Sequence, residues 1–320
     1  MQLSLWTQPE LMPQAQVWQQ RLLQWQVHTE LQVLAQPLAR HLRQHTELAL
    51  VMDQQGLSLA ANGMKMQPDW VGQLARLKRA SHRNELIARA CQTERQPIIV
   101  DATAGLGHDG LLLAWLGARV ILIERHPLLA ALLQDAHAQA AQHPELASVM
   151  QRIQLIHAEA ADYLQQLPAG LPLAFQPLAT YAALDPTELV QSESSTIDVV
   201  YLDPMFPKGG HKDQKKQALV KKEMQILHQL MAQDGAMDLG DYLLPLAQQV
   251  AARVIVKRPR HAPTLGSAVP QHQWLGDACR FDGYFQPALS SVNIEHSNTE
   301  QANTESSKAE QANTAITPEA

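Results

Sequence analysis

The sequence predicts an α/β protein built on a mostly parallel sheet with helices on both faces, joined to a small N-terminal α+β subdomain and a disordered C-terminal tail. Three observations carry this. From residue 97 onward, short runs of aliphatic and β-branched residues alternate with helical patterns, and strands separated by helices pair in parallel. The runs are apolar at nearly every position, as strands covered on both faces must be. An acid and a set of glycines follow the first run, at the strand end where open sheets bind their ligands.

The first 45 or so residues are rich in Gln, Leu and Trp at helical spacing. Residues 47–52 followed by 55–59 read as a small hairpin. Residues 1–75 thus read as a separate subdomain, with Trp6, Trp18 and Trp25 as packing residues. A basic helical stretch from about 71 to 91 leads into a second domain over 76–294. Its strands are expected at 97–103, 119–124, 153–158, 197–202 and 252–257, and its helices include 108–117, 127–142, 214–231 and 240–251. Residues 168–196 are long for a connection in a compact domain and read as a lid or an insertion. From about 295 the chain is polar and repeats Glu-Gln-Ala-Asn-Thr at 300–304 and 310–314. Such composition cannot build a core, so 295–320 is expected to be disordered.

With 46% apolar residues among 320, the chain can bury a substantial core. It has no uncharged apolar run of about 18 residues and no signal-peptide pattern at its start, which predicts a cytoplasmic protein with no membrane partner. Cys91 and Cys279 lack metal-ligand spacing, and His41 and His45 stand four apart without a third ligand, so no metal is expected. The net charge of −6 is misleading, because residues 295–320 alone carry −4. Elsewhere positive charge clusters: Lys208, Lys212, Lys215, Lys216, Lys221 and Lys222 stand against Asp213 alone. Two further groups are Arg253, Lys257, Arg258 and Arg260, and Arg76, Lys78, Arg79 and Arg83. Basic clusters in an acidic chain suggest a localised anionic partner.

Two strand ends carry chemistry. The run from Ile197 to Leu202 enters Asp203-Pro204-Met205-Phe206. The Asp203 carboxylate and the Pro204 carbonyl suit the two hydrogens of an exocyclic amine, while Phe206 can stack on the ring of an unstacked base. The other end is Asp101-Ala102-Thr103-Ala104-Gly105-Leu106-Gly107-His108-Asp109-Gly110, a strand-to-helix turn whose glycines let backbone approach a ligand. Glu124 ends the next strand, where a carboxylate can bind both hydroxyls of an adenosine ribose. These features serve NAD and S-adenosylmethionine equally.

Asp101, four residues before Gly105, completes an Asp-x-x-x-Gly-x-Gly pattern that resembles the first motif of class I (Rossmann-like) methyltransferases. In that pattern the acid positions the loop and the methionine end of the cofactor. The order along the chain also resembles these enzymes: glycine loop, ribose acid, an adenine contact at His157-Ala158-Glu159-Ala160, then the substrate motif.

Taken together, Asp101–Gly107, Glu124-Arg125, Leu155–Ala158, Tyr201–Pro207, Ala218–Met224 and Val256–Pro259 resemble the RsmJ family of bacterial 16S ribosomal RNA (guanine-N2)-methyltransferases over about 75–290. The resemblance implies S-adenosylmethionine as cofactor and 16S rRNA or the small ribosomal subunit as partner. It implies methyl transfer to the exocyclic N2 of one guanosine, and cofactor contacts at His108, Asp109, Glu124, Arg125, Glu159, Ala160 and Asp203. The chain departs from the family pattern at His108, where an arginine is expected, at Glu159-Ala160, where small hydroxyl residues are, and at an inserted 209–213. Asp203, Pro204 and Phe206 would act on the base; Lys208, Lys215, Lys216, Lys221, Lys222, Lys257 and Arg258 would hold RNA phosphates. Two other readings stand beside this one: an NAD(P)-dependent oxidoreductase, and a non-catalytic RNA-binding protein on a methyltransferase fold. The residues do not say which guanosine is modified, or whether naked RNA or an assembled subunit is bound.

Overall fold

The structure is a computed structural model, and it describes residues 2–167, 196–204, 225–227, 230 and 240–286. All of these belong to one compact unit, residues 1–286. Phe206, Lys208, Lys215, Lys216, Lys221, Lys222, nearly all of the 168–196 segment and the tail lie outside the described residues. Of the helix expected over 214–231, the described positions 225–227 and 230 are helical.

The N-terminal residues build a sheet of their own. Its strands are β1 (Gln2–Thr7), β2 (His28–Val33), β3 (Ala49–Asp53), β4 (Gly56–Ala61) and β5 (Met64–Met66), in the order β2-β1-β3-β4-β5. Helices α1 (Met12–Gln24) and α2 (Leu38–Gln44) connect them. The expected hairpin is present as antiparallel β3 and β4, with Leu50 opposite Leu59. Strands β1 and β2 replace helix where helix was expected. Leu3 and Leu5 alternate with Ser4, and this period of two sends both leucines into the core while β1 pairs in parallel with β2 and β3. Helical spacing among the neighbouring Leu, Gln and Trp residues masks so short an alternation.

The second sheet has seven strands. They are β6 (Ile98–Asp101), β7 (Arg119–Glu124), β8 (Ile153–His157), β9 (Val199–Leu202), β10 (Arg253–Pro259), β11 (His272–Leu275) and β12 (Cys279–Phe285), in the order β11-β12-β10-β9-β6-β7-β8. Strands β6 to β10 run parallel to one another, and β12 and β11 close the edge antiparallel. Period two sorts the side chains: Ile99, Val120, Leu122, Val199, Tyr201 and Ile255 pack on one face, and Ile98, Val100, Ile121, Val200, Leu202 and Val254 on the other. The first face is covered by α4 (Leu86–Cys91), α5 (His108–Trp115) and α7 (Ala147–Met150); the second by α8 (Ala160–Gln166) and α9 (Leu243–Val250).

The basic stretch near 71–91 is two short helices, α3 (Leu74–Leu77) and α4, rather than one. Between them Ser81 N–H donates to Asn84 Oδ1 at 2.7 Å, and Asn84 Nδ2 donates to Arg79 O at 2.8 Å, a side-chain turn that competes with helix. Helix α6 (Pro127–Ala141) starts at Pro127, with His126 Nδ1 accepting from Leu128 N–H at 3.1 Å. It serves both sheets. Leu128, Leu129 and Leu132 join the N-terminal core, whereas Leu133, Ala136 and Ala140 join the seven-stranded one. Asp135 Oδ2, buried on α6, accepts from Leu57 N–H of β4 at 2.8 Å.

Candidate active site

The site lies at the carboxyl ends of β6, β7 and β9, where the strand order reverses direction about β6. The loop after β6 is stitched to both neighbours: Ala102 N–H donates to Tyr201 O at 3.0 Å and Ala104 N–H to Ile123 O at 3.1 Å. Gly105 and Gly107 both have positive φ, 56° and 70°, but for different ends. A Cβ on Gly105 would meet nothing closer than 3.9 Å, so its open side faces the cavity it lines. A Cβ on Gly107 would come within 2.7 Å of Trp70 and 2.8 Å of Leu133, so that glycine answers to packing.

Two cavities meet here. The first is a cleft open to solvent, of about 700 Å³ of empty volume with the solvent at its mouth included, bordered by Gly105, Glu124, Arg125, Glu159, Ala160 and Tyr242, among others. The second is bordered by Asp101, His108, Asp109, Tyr201, Lys257 and Cys279. Thr103, Gly105, Leu129, Asp203 and Pro204 border both.

Glu124 closes β7 at the first cavity. Its Oε2 accepts from Gly105 N–H at 2.9 Å and its Oε1 from His126 N–H at 2.8 Å. Burial raises its carboxyl to about 7 against the pull of these two amides. Each oxygen retains a second acceptor site, as binding a ribose diol requires. Across the cavity Glu159 Oε1 accepts from Tyr242 Oη at 3.1 Å, and Glu159 Oε2 lies 3.7 Å from Arg125 Nη1. Ile123, Leu129 and Leu243 add apolar walls. Together the open side of Gly105, the diol-competent carboxylate and the apolar walls fit an adenosine-bearing cofactor.

Asp203 follows β9 at the junction of the two cavities. Its backbone N–H donates to Thr103 Oγ1 at 2.6 Å, and its Oδ2 accepts from Lys257 Nζ at 2.9 Å. Lys257 Nζ also donates to Asp109 Oδ2 at 2.7 Å, an oxygen that accepts from Tyr201 Oη at 2.7 Å as well. Burial works to raise the Asp109 carboxyl, but the Lys257 charge and these hydrogen bonds outweigh it and hold it below the ordinary range. Burial also raises Asp203, with Lys257 opposing and Asp109 adding to the shift. Asp101 lies beneath them, fully buried, its Oδ1 accepting from Thr103 N–H at 3.1 Å; burial pushes its carboxyl well above the usual carboxylate value.

The fold brings most of the sequence-derived candidates together, yet it divides them. Glu124, Arg125, Glu159 and Ala160 border the first cavity, whereas Asp101, His108 and Asp109 border the second. His108 Nε2 is buried and has no hydrogen-bond partner among the described residues. Lys257 gives its hydrogen bonds to two carboxylates, and Arg258 is 4% exposed with Nε donating to Pro263 O at 3.0 Å. Neither is disposed for the phosphate contact expected of it. Sequence reasoning gave no role to Thr103, Tyr201 or Tyr242. A signal existed for the first two, since both lie inside the quoted motifs. His41 and His45 stack on each other with centroids 4.0 Å apart, and no group of three metal-ligating side chains occurs among the described residues. No helix among the described residues is long and apolar enough to cross a membrane.

Residues 33–181 and 171–286 match the family described as "Putative SAM-dependent methyltransferase". Ribosomal RNA small subunit methyltransferase J of Acinetobacter baylyi is 53% identical over 282 residues, covering 88% of this chain and 96% of its own. The chain belongs to this methyltransferase family. The protein of the same name from Thioalkalivibrio sulfidiphilus is 40% identical over 75% of the chain and 85% of its own length. The crystal structure of a SAM-dependent methyltransferase from Neisseria gonorrhoeae superposes with a TM-score of 0.59 at 27% identity, covering 92% of this chain and all of that one. S-adenosylmethionine is therefore the cofactor, and the chain is a methyltransferase rather than a nicotinamide enzyme.

Proposed function

We propose that this protein transfers the methyl group of S-adenosylmethionine to the exocyclic N2 of one guanosine in 16S ribosomal RNA, in the cytoplasm. The observation that carries this reading is the position of Asp203 and Pro204 on the border of both cavities. A planar amine bound in the second cavity would meet there the cofactor held in the first. The relatives' names, which specify small-subunit ribosomal RNA, support the choice of partner.

When bound, S-adenosylmethionine supplies a methyl group that is already activated. The chain's own task is alignment and charge. Asp203 Oδ1, left free by the Lys257 bond to Oδ2, and the Pro204 carbonyl oxygen accept the two amine hydrogens and draw the N2 lone pair out of ring conjugation. Gly105, Glu124 and the apolar walls of the first cavity would hold that cofactor, which would supply the methyl group to the amine nitrogen and leave as S-adenosylhomocysteine. The surplus N2 proton leaves through Asp203 Oδ1 or water. Phe206 would stack on the guanine, a contact worth about 1–3 kcal/mol. Phosphates would meet the lysines of 208–222 and the exposed Arg76, Arg79, Arg83 and Arg260. Exposure makes these arginines better phosphate ligands than Lys257 or Arg258.

The test is methylation of 16S rRNA from a strain lacking the enzyme, followed by mapping of the new methyl group. Asp203→Ala should lower kcat by about 100-fold or more, a larger effect than the loss of S-adenosylhomocysteine affinity from its place on the border of the first cavity. Parent-rate methylation by that variant, or a methyl group on any atom other than guanine N2, would overturn the reading.

A further inference from the structure

Strand β10 pairs with β9 in parallel, with Val256 beside Leu202, so the next residue along β10 stands beside the next along β9. Those residues are Lys257 and Asp203, and the lysine ammonium lies 2.9 Å from one carboxylate oxygen. Its other anchor is Asp109 at the start of α5, 2.7 Å away and itself held by Tyr201. The lysine side chain is only 27% exposed, so its charge is committed to these two acids.

We infer that Lys257 is a positioning residue for methyl transfer: it grips Asp203 by Oδ2 and so leaves Oδ1 as the oxygen offered to the substrate amine. The inference rests on the reading of Asp203 proposed above. It has a geometric part and a charge part. A carboxylate free to rotate about its Cβ–Cγ bond presents either oxygen in any direction, whereas one held by a charge-assisted bond presents a single, fixed acceptor. The charge part follows from the company Asp203 keeps. Asp109 from α5, Asp101 from β6, Tyr201 from β9 itself and Cys279 from β12 all surround it, and Arg258 of β10, His108 of α5 and Arg76 of α3 stand farther out. Lys257 is the cation in direct contact with both Asp109 and Asp203. Without it two carboxylates would share one pocket, and a proton would settle on one of them at higher pH than before. A protonated Asp203 could no longer take up the amine proton.

The test uses the full chain with 16S rRNA as substrate. Lys257→Met should lower kcat by about 100-fold, with KM for the rRNA and affinity for S-adenosylhomocysteine changed by less than about threefold. The acid limb of its kcat–pH profile should move to higher pH, and Lys257→Arg should recover about tenfold of the lost rate by restoring a charged donor. If Lys257→Met fails to fold by circular dichroism, Lys257→Gln replaces it in the same measurements. Overturning results are a kcat within threefold of the parent, a loss confined to KM with a weakened salt dependence, as a phosphate-binding lysine would show, or an unmoved acid limb. Asp203→Ala is measured alongside. If it too turns over at the parent rate, the proposed function fails; if it is inactive while Lys257→Met is not, only the role of Lys257 fails.

Discussion

The ends of β7 and β9 each present one carboxylate to the same space, and the protein stabilises them by different means. Glu124 is held by the amides of Gly105 and His126, which carry partial charge, and burial lifts its carboxyl to about 7. Asp203 is held by the full charge of Lys257. Main-chain amides survive every substitution but proline and point in fixed directions, which suits an acid that recognises a neutral diol. A lysine neutralises charge, which suits an acid beside a reacting centre where charge and protons move. The binding end and the reacting end of one site are thus built from different physics.

That contrast can be broken by experiment. The largest effect is expected from Asp203→Asn, which keeps the shape but not the charge. Its kcat should fall by about 100- to 10,000-fold, well beyond the change in S-adenosylhomocysteine affinity, as read by single-turnover rates and calorimetry. Glu124→Gln should do the reverse, weakening S-adenosylhomocysteine by about 10- to 100-fold while kcat at saturation stays near the parent. If both substitutions move the same parameter, the two ends are not specialised.

A pH series sharpens the point. Ribose hydroxyls donate to the ionised form of Glu124, so parent affinity should strengthen as pH rises from 6 to 8 through the value of about 7, and Glu124→Gln should flatten this dependence. Stability runs the other way. Because the folded carboxyl lies above its unfolded value of 4.5, its contribution is fully present below 4.5 and is lost as pH rises through about 7. Glu124→Gln should therefore gain Tm over the parent at pH 8 and little at pH 5, by differential scanning fluorimetry without cofactor. The smallest effect belongs to Thr103→Val, which removes the acceptor for Asp203 N–H and should cost about 0.5–1.5 kcal/mol of unfolding free energy. Chemical denaturation measures it.

The strands that carry the site were legible because a parallel sheet covered on both faces writes itself as apolar runs: Ile98-Ile99-Val100 and Val199-Val200-Tyr201-Leu202 have no exposed position to interrupt them. The edge was not. Strand β12 contains Arg280 and Asp282, which look like surface residues in sequence but are 5% and 0% exposed. They satisfy each other at 2.8 and 3.0 Å, and Arg280 Nη1 also reaches the carbonyls of Arg260 and Ala262, each at 2.8 Å. Lys257 hid in the same way. A sequence shows that a charge exists and not what faces it, and the partner here depends on strand register between segments about 50 residues apart. The acids at the strand ends were legible for the opposite reason, since a polar residue that abruptly ends an apolar run marks the rim of the sheet.

Helix α6, shared between the two sheets, has a consequence for how the chain is made. The hairpin of β3 and β4 leaves the ribosome early, but Leu57 N–H finds its acceptor on Asp135, and its core draws on leucines at 128, 129 and 132. Synthesis runs from the N-terminus at about 5–20 residues per second, so the first sheet waits for several seconds with one face covered only in part, by Ala15, Trp18 and Leu22 of α1. It can close only when α6 emerges, and by then the Asp101–Asp109 loop is also out. The N-terminal core therefore gains the leucines of α6 well before the seven-stranded sheet has all its strands, and a ribosome stalled before residue 127 should hold a nascent chain open to protease.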